Sequence, residues 1–505
     1  MRQTRALVLL SILMLFCGFK NTAQIKKEQL SVLYVGYDPS IPMDPTITKS
    51  ETATGGMQAE RFMEDVKTRF GAFESYLKQY FSKVGTVDAR NYKKELSAGY
   101  DVTIFDQVVT PWQKQQNVKG ADGRSKNEPA KYLTEDFDFP TVFVGHTAPV
   151  MGQSIGLKLD WLCLCLDADA HHLKTGHPIF KGPFSVKMTL TDKPTPEGIY
   201  HYPSGKDVPR QIPMWRVQKE GYLEGKGYRM GLVSRGEGFL DSPDAEYISS
   251  GVNTKDLDAV AIGRHGNFFL WGFSASPDYM TEEAKQIFAN SVVYIRKFKG
   301  QKPIARKYND RIATKASIDD IIVKLNTEAY EKYKTDLADF NNQMKKSTDA
   351  LRAKKEKGEK LSEMEEMVVN MPVREMPAPT WEQYVQRTAR EFFKPEYVQN
   401  VDALKQFLKE NRKFMFAEPD SFYTLKIDED LKKEGIGNDE KAFLSHYIKL
   451  LKKAADKDAA AKILLRYTGL AMSAPEWEEW LKKNSSKLFF TQAGGFKWLV
   501  DTAKK

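Results

Sequence analysis

The densest run of chemistry-bearing side chains in the sequence is Asp160-Trp161-Leu162-Cys163-Leu164-Cys165-Leu166-Asp167, followed by His171, His172 and His177. Of the seven histidines in the chain, five lie between His146 and His201. On a strand, the period of two places Cys163, Cys165 and Asp167 on one face and the three leucines on the other. Thiolate and imidazole together are the donors that zinc selects, which makes Cys163, Cys165, His171, His172 and His177 the candidate metal ligands. The spacing matches no zinc motif, however, and free cysteine is among the most buried residue types. The reading without metal is a buried strand edge, a capped helix and a His-Pro turn, and no metal is expected on it. A bridge between cysteines one residue apart would be strained, so two thiols are expected.

A second set of polar residues is dispersed. Asp38 follows the run LSVLYVGY at 30–37, and His146 follows TVFVG at 141–145. Each run reads as a buried strand that ends just before the polar residue. Asp38 and His146 then share one rim of a sheet, the rim on which α/β folds bind ligands. There they are candidate catalytic residues, as polar contacts or as an acid/base pair. Arg264 and His265, between two later strands, are candidate ligand-binding residues that would join them. Asp38 also fits a plainer role, capping the turn before Pro39. Nothing in the sequence assigns a cofactor.

The elements that must position these residues divide near residue 300. Strand-like runs at 30–37, 86–89, 102–109 and 141–145 alternate with an amphipathic helix over Arg61 to Val84, whose apolar positions Phe62, Val66, Phe70, Phe73, Leu77, Tyr80, Phe81 and Val84 recur at spacings of three and four. Such alternation predicts a mainly parallel sheet with helices on both faces. Residues 111–131 are polar and read as a surface loop. Residues 183–258, rich in Gly and Pro, read as an insertion or an antiparallel sheet edge, with Tyr228 to Ser234 as one strand. Regularity returns at 259–273, two strands joined around Arg264-His265-Gly266, and in a helix from Thr281 with Glu282 and Glu283 in its first turn.

Beyond 300 the chain reads as helical. The spacing predicts a helix from Ile318 to Leu337 continuing into 345–367, where charges of both signs crowd together as in an exposed helical hairpin or a mobile linker. A charged linker region over 301–379 ends in Met371 to Pro379, which holds three prolines. A helical C-terminal domain over 380–505 follows. Thr380-x-x-Gln383 and Ser473-x-x-Glu476 fit the capping box. Trp381, Tyr384, Phe443, Tyr447, Trp477 and Trp480 recur at helical spacing, as core residues do.

The order of several motifs resembles a known family. His177-Pro178-Ile179-Phe180 is followed by Gly263-Arg264-His265-Gly266-Asn267-Phe268-Phe269, then Ser274-Ala275-Ser276-Pro277 and the helix from Thr281. A His-Pro-Ile turn with a strand, small-residue turn and helix after it is similar to the ThuA-like branch of the class I glutamine amidotransferase-like superfamily. The similarity spans about residues 28–300. It implies a flavodoxin-like α/β domain over 24–300, with its site at the carboxyl ends of the strands. A working amidotransferase places an activated cysteine on a sharp strand-to-helix turn. The matching strand here leads into His146-Thr147-Ala148, and Cys163 and Cys165 lie too far downstream, so glutaminase activity is not expected. The late turn also departs from the branch, with Phe273-Ser274-Ala275 where Gly-His is common.

Arg2, Arg5 and the apolar run Ala6 to Phe16 read as a signal peptide over 1–23, cleaved after Ala23. Bulky Phe16 disfavours the alternative, lipoprotein anchoring at Cys17. The mature chain is then expected to be exported, periplasmic or secreted, with no transmembrane span. The full 505 residues suit two or three domains, and 41% hydrophobic with 28% charged residues is ordinary globular composition. The formal charge of +9 comes from Lys and Arg scattered among acids, so no nucleic-acid partner is expected. Three functions fit: binding or processing a carbohydrate-related ligand at the strand-end rim, as the resemblance implies; a non-catalytic scaffold whose helical region docks a protein partner; and a metal-dependent hydrolase using the Cys/His cluster.

Overall fold

The computed structural model describes residues 25–47, 59–119, 125–160, 162–196, 208–221, 230–361, 363–372 and 375–504. The signal-like segment, its cleavage point and Cys17 lie outside these residues, as does the start of the run at Tyr228.

The first 300 residues build strands β1 (Glu28–Gly36), β2 (Phe81–Asp88), β3 (Val102–Phe105), β4 (Thr141–Val144), β5 (Cys163–Leu166), β6 (Asp169–His171), β7 (Leu190–Pro194), β8 (Gln211–Arg216), β9 (Gly231–Val233), β10 (Ala245–Gly251), β11 (Val260–His265) and β12 (Phe268–Trp271). All but β5 and β9 belong to one ten-stranded sheet of order β2-β1-β3-β4-β12-β11-β10-β6-β8-β7. The neighbours from β2 to β12 pair in parallel. From β12 to β7 every pairing is antiparallel. The protein is therefore α/β, with a parallel half and an antiparallel extension built largely from the Gly- and Pro-rich segment.

Helices cover both faces. Helix α1 (Ala59–Tyr80) precedes β2, α2 (Thr147–Gly152) follows β4, and α3 (Glu282–Ile295) follows β12. Strand β1 shows the division. Val32 and Tyr34 join Phe73, Tyr76 and Leu77 of α1 and Ile287, Phe288 and Val292 of α3 in one core. Leu33 and Val35 face the other way, onto Phe105, Phe143, Ala148 and Met151. Each fully buried side chain of this size contributes roughly 1.5–3 kcal/mol of burial free energy. Helix α3 starts as expected, with the Thr281 hydroxyl accepting from Ala284 N at 3.2 Å.

Three local readings change. The helix placed over Arg61 to Val84 stops at Tyr80, and Phe81 to Asp88 is strand β2 rather than 86–89 alone. Residues 81 and 84 continue the three-to-four spacing by coincidence. The strand placed over 102–109 stops at Phe105, with Asp106 N still donating to Val35 O at 3.0 Å. The polar loop contains a short ribbon, Gln116–Lys119 against Ser125–Glu128.

After residue 300 come α4 (Ala316–Lys324), α5 (Thr327–Glu356) and α6 (Glu363–Asn370), then helices Trp381–Ala389, Val401–Asn411, Glu429–Glu434, Phe443–Leu450, Lys457–Thr468 and Ala474–Asn484. The helix read from Ile318 through Leu337 is broken at Leu325 and Asn326. Asn326 caps α5 by accepting from Ala329 N at 2.8 Å. Thr380 opens the next helix with the full reciprocal capping box. Leu404, Leu408, Phe443, Tyr447, Tyr467 and Trp477 form a separate core, to which Trp381 and Trp480 add partly buried rings. Small antiparallel pairs, Met415–Phe416 with Lys426–Ile427 and Leu488–Thr491 with Lys497–Val500, complete it. Among the described residues no helix is long and apolar enough to cross a membrane.

Candidate functional site

Strands β1, β3, β4 and β12 all end on one rim, which is also where the direction of strand addition reverses: β2 is added on one side of β1 and β3 on the other. At such a switch the connecting chains part and leave a crevice. Asp38 and His146 both lie on this rim. Asp38, half-buried, follows β1; its Oδ1 accepts from Ser40 N at 2.8 Å and its N–H donates to Asp88 Oδ2 at 2.8 Å. It does cap the turn before Pro39. His146 is buried at the N-terminus of α2, set there by Gly145, whose φ of +56° lies in the left-handed region. The Thr147 hydroxyl donates to Phe105 O and Val144 O at 3.0 Å, tying the end of β4 to the end of β3.

The charge at the switch comes from residues the sequence reading passed over. Asp106, the first residue after β3, is fully buried. It takes the Arg69 guanidinium in a two-point contact, Nε to Oδ2 and Nη2 to Oδ1 at 2.7 Å each, and the Tyr34 hydroxyl at 2.7 Å. Asp65, one turn before Arg69 on α1, receives Arg69 Nη1 at 3.4 Å. Burial alone would push the guanidinium down, but Asp106 and Asp65 more than offset it and hold it charged. Burial, and then the Asp106 carboxylate, hold the Tyr34 phenol far above its ordinary range, so it remains a donor. The signal was present in the sequence: Asp65 and Arg69 interrupt the apolar face of α1.

Two buried amides complete the rim. Gln218 Oε1 accepts from Ser274 N at 3.1 Å and Ala275 N at 3.0 Å, in the turn after β12, which fixes the orientation of the amide. Its Nε2 and the Oε1 of Gln107, next to Asp106, have no hydrogen-bond partner among the described residues. One open donor and one open acceptor, both buried, are what a hydroxyl-bearing ligand would satisfy.

Arg264 and His265 do not join this rim. Strand β12 runs parallel to β4, with Phe268 opposite Thr141, so the hairpin before it lies at the amino ends of the parallel strands. Arg264 Nε donates to Glu246 Oε2 at 2.7 Å, and Glu246 also takes the Tyr294 hydroxyl at 2.9 Å and faces His177 Nε2 at 3.5 Å. Fully buried His265 accepts from Lys158 N at Nδ1, 3.1 Å, which leaves the proton on Nε2, 3.3 Å from Asp244 Oδ2. Asp244 in turn accepts from the Ser242 hydroxyl and from Ile304 N. Serine, aspartate and histidine thus meet, but the serine bonds the acid rather than the imidazole. This is no nucleophilic triad.

The Cys/His cluster does not converge either. Cys163 and Cys165 form a disulfide, in place of the two thiols expected, and so offer no thiolate to a metal. His171 and His172 meet each other, Nδ1 to Nδ1 at 2.6 Å, with His172 at a φ of +48°. His177 Nδ1 accepts from Ile179 N at 3.4 Å, closing the His-Pro turn. Among the described residues no group of three or more His, Cys, Asp or Glu side chains could hold a metal ion. Two surface grooves are lined by neither Asp38 nor His146, one between the His-Pro turn and the end of α3, the other between α1 and Pro277-Asp278.

Comparison of the chain with protein-family models, with curated proteins and with solved structures finds no match.

Proposed function

We propose that this is an exported ThuA-like protein whose flavodoxin-like domain binds or processes a carbohydrate-related ligand at the carboxyl ends of β1, β3, β4 and β12, without glutaminase activity. The observation that carries the reading is the pair of buried amide atoms, Gln107 Oε1 and Gln218 Nε2, left open on that rim. A buried polar atom without a partner costs about 1–3 kcal/mol, which saccharide hydroxyls, each a donor and an acceptor, would recover. The strand order β2-β1-β3-β4-β12 supports the flavodoxin-like comparison, since it reverses direction next to the first strand. Gly145-His146-Thr147 at the strand-to-helix turn supplies no nucleophile for an amidotransferase.

Thermal denaturation of the full chain against a panel of mono- and oligosaccharides tests this. A ligand present at a hundred times its Kd adds about 2.7 kcal/mol to stability, a shift of several degrees. Gln107→Leu and His146→Ala are expected to abolish the shift while the unliganded protein still melts cooperatively. No shift with any saccharide overturns the proposal.

A second reading, a scaffold that docks a protein through the helical region, is favoured by one observation. Phe340, Met344, Met367, Met371 and Met376 are exposed along α5 and the chain that returns beside it, where Asn341 and Met376 exchange hydrogen bonds of 2.9 and 3.1 Å. Flexible Met-rich surfaces suit partner binding.

A further inference from the structure

The disulfide closes the smallest useful loop. Cross-links stabilise a fold mainly by restricting the unfolded chain, and the effect grows with the number of residues enclosed. With only Leu164 between them, Cys163 and Cys165 restrict almost nothing. The bond is also not needed to hold β5 in place, since Leu166 is wholly buried and β5 pairs with β9. A covalent bond with so little structural work suggests a chemical one.

The surroundings fit that role. From Cys163 to Leu166 β5 advances three residues, while its partner β9 advances two, from Val233 to Gly231. The strand carries a bulge at the bridge, and the Cys163 and Cys165 Cα atoms are 5.3 Å apart, against roughly 6.6 Å for alternate residues of an extended strand. The two residues differ in exposure: Cys163 is buried, Cys165 is partly exposed. The Thr254 hydroxyl donates to Cys165 Sγ at 3.6 Å, where it would stabilise a thiolate.

We propose that Cys163 and Cys165 form a reversible thiol–disulfide exchange couple that reacts with small thiols and disulfides. A thiolate attacks the accessible Cys165 Sγ; the new bond is a mixed disulfide at Cys165, and the broken one releases Cys163 as thiolate, which takes a proton. A second molecule of thiol attacks the external sulfur of the mixed disulfide and releases Cys165, under the Thr254 hydroxyl. Two thiols are oxidised to one disulfide, and the protein gains two electrons and two protons. The reverse sequence reoxidises it. Reduction also frees β5 to extend, and Leu166, seated on Gly231, Gly251 and Gly272 with no room for a Cβ between, connects β5 to the turn after β12.

The test is equilibration of the native full chain in glutathione buffers of graded ratio, followed by acid quench, alkylation and peptide mapping. Cys163 and Cys165 are expected to titrate together and reversibly, with unchanged far-ultraviolet circular dichroism. Cys163→Ser is expected to accumulate one glutathione, at Cys165, and Cys165→Ser to react at least tenfold more slowly. A bridge reducible only in denaturant, or cysteines found alkylated in protein never exposed to reductant, overturns the couple. Faster capture at Cys163 than at Cys165 overturns the assigned direction of attack. The native titration needs no variant to fold.

Discussion

At the scale of single residues, the protein holds several ionisable groups far from their solution behaviour, and their pH windows separate. Burial, with His172 alongside, pushes the His171 imidazole from 6.5 down to about 4, so the folded chain keeps it neutral. The unfolded chain takes up that proton below pH 6.5, and stability is therefore lost as pH falls from about 6.5 towards 4. Glu246 behaves in the opposite chemical sense with the same direction. Burial raises its carboxyl, but hydrogen bonds from His177 and Arg264 outweigh this and bring it from 4.5 to about 2. Its contribution is complete above pH 4.5 and disappears as pH falls towards 2. Melting temperature against pH should thus fall in two steps. His171→Gln is expected to reduce the upper step, which buried His265 shares; Glu246→Gln should reduce the lower one, which Asp244 shares, and cost about 1.5–3 kcal/mol at neutral pH. Residue types were the readable part of this. Asp38 and His146 could be placed on one rim because each follows an apolar run. Arg264 and His265 could not be placed, because an apolar run does not tell which way its strand points. Arg69 and Asp106 meet only through tertiary contact, and nothing local joins positions 37 residues apart.

At the scale of elements, the turn between β4 and α2 decides where His146 stands. Gly145 adopts its left-handed conformation between a strand with no exposed residue and a helix of six residues, with Ser274 in ordinary contact distance of any Cβ placed there. An L side chain in that region costs about 1–2 kcal/mol. Gly145→Ala should therefore lower stability by about that amount, and should also weaken any saccharide-induced shift by tilting α2; calorimetry with and without ligand measures both. Element existence was largely legible, and element ends less so. The Thr281 and Thr380 caps announce helices that start where their hydroxyls bind. The end of α1 was hidden because Phe81 and Val84 serve a strand while keeping the helical spacing. The antiparallel extension was legible as an insertion or added sheet edge but its strand order was not, since β6, β8 and β10 find partners far away in sequence.

At the scale of the molecule, the two cores are joined by a seam of buried charges rather than by apolar contact alone. Asp241 accepts from Thr491 Oγ1, Gln492 N and Ala493 N at 3.2, 2.7 and 3.2 Å, and faces Lys158 Nζ at 3.4 Å. Lys307 and Arg235 both donate to Asp160 Oδ2 at 3.0 Å. Lys158 is wholly buried, and burial lowers its pKa in spite of Asp241 and Asp244. Removing the acid leaves that ammonium the Gly238 carbonyl, 2.6 Å away, as its nearest partner, a loss of about 1–3 kcal/mol. Asp241→Ala is expected to split one calorimetric transition into two; a single unshifted transition would show that the seam couples nothing. The charged and exposed α5 was readable as solvated helix from its mixed charges, whereas the seam was not, because lysine and aspartate in loops look alike whether buried or wet. The width of the sheet has one more consequence. An open sheet ends in two strands whose outward N–H and C=O groups could recruit an unfolded copy of the chain. Here one end is β7, five residues carrying Asp192, Lys193 and Pro194, nearly all exposed. The other is β2, with exposed Ser82 and Lys83 at its start. A proline that donates no hydrogen bond, and lysines that must stay hydrated, make poor templates for strand addition, so growth of the sheet stops at the boundary of one molecule and aggregation through its edges is resisted.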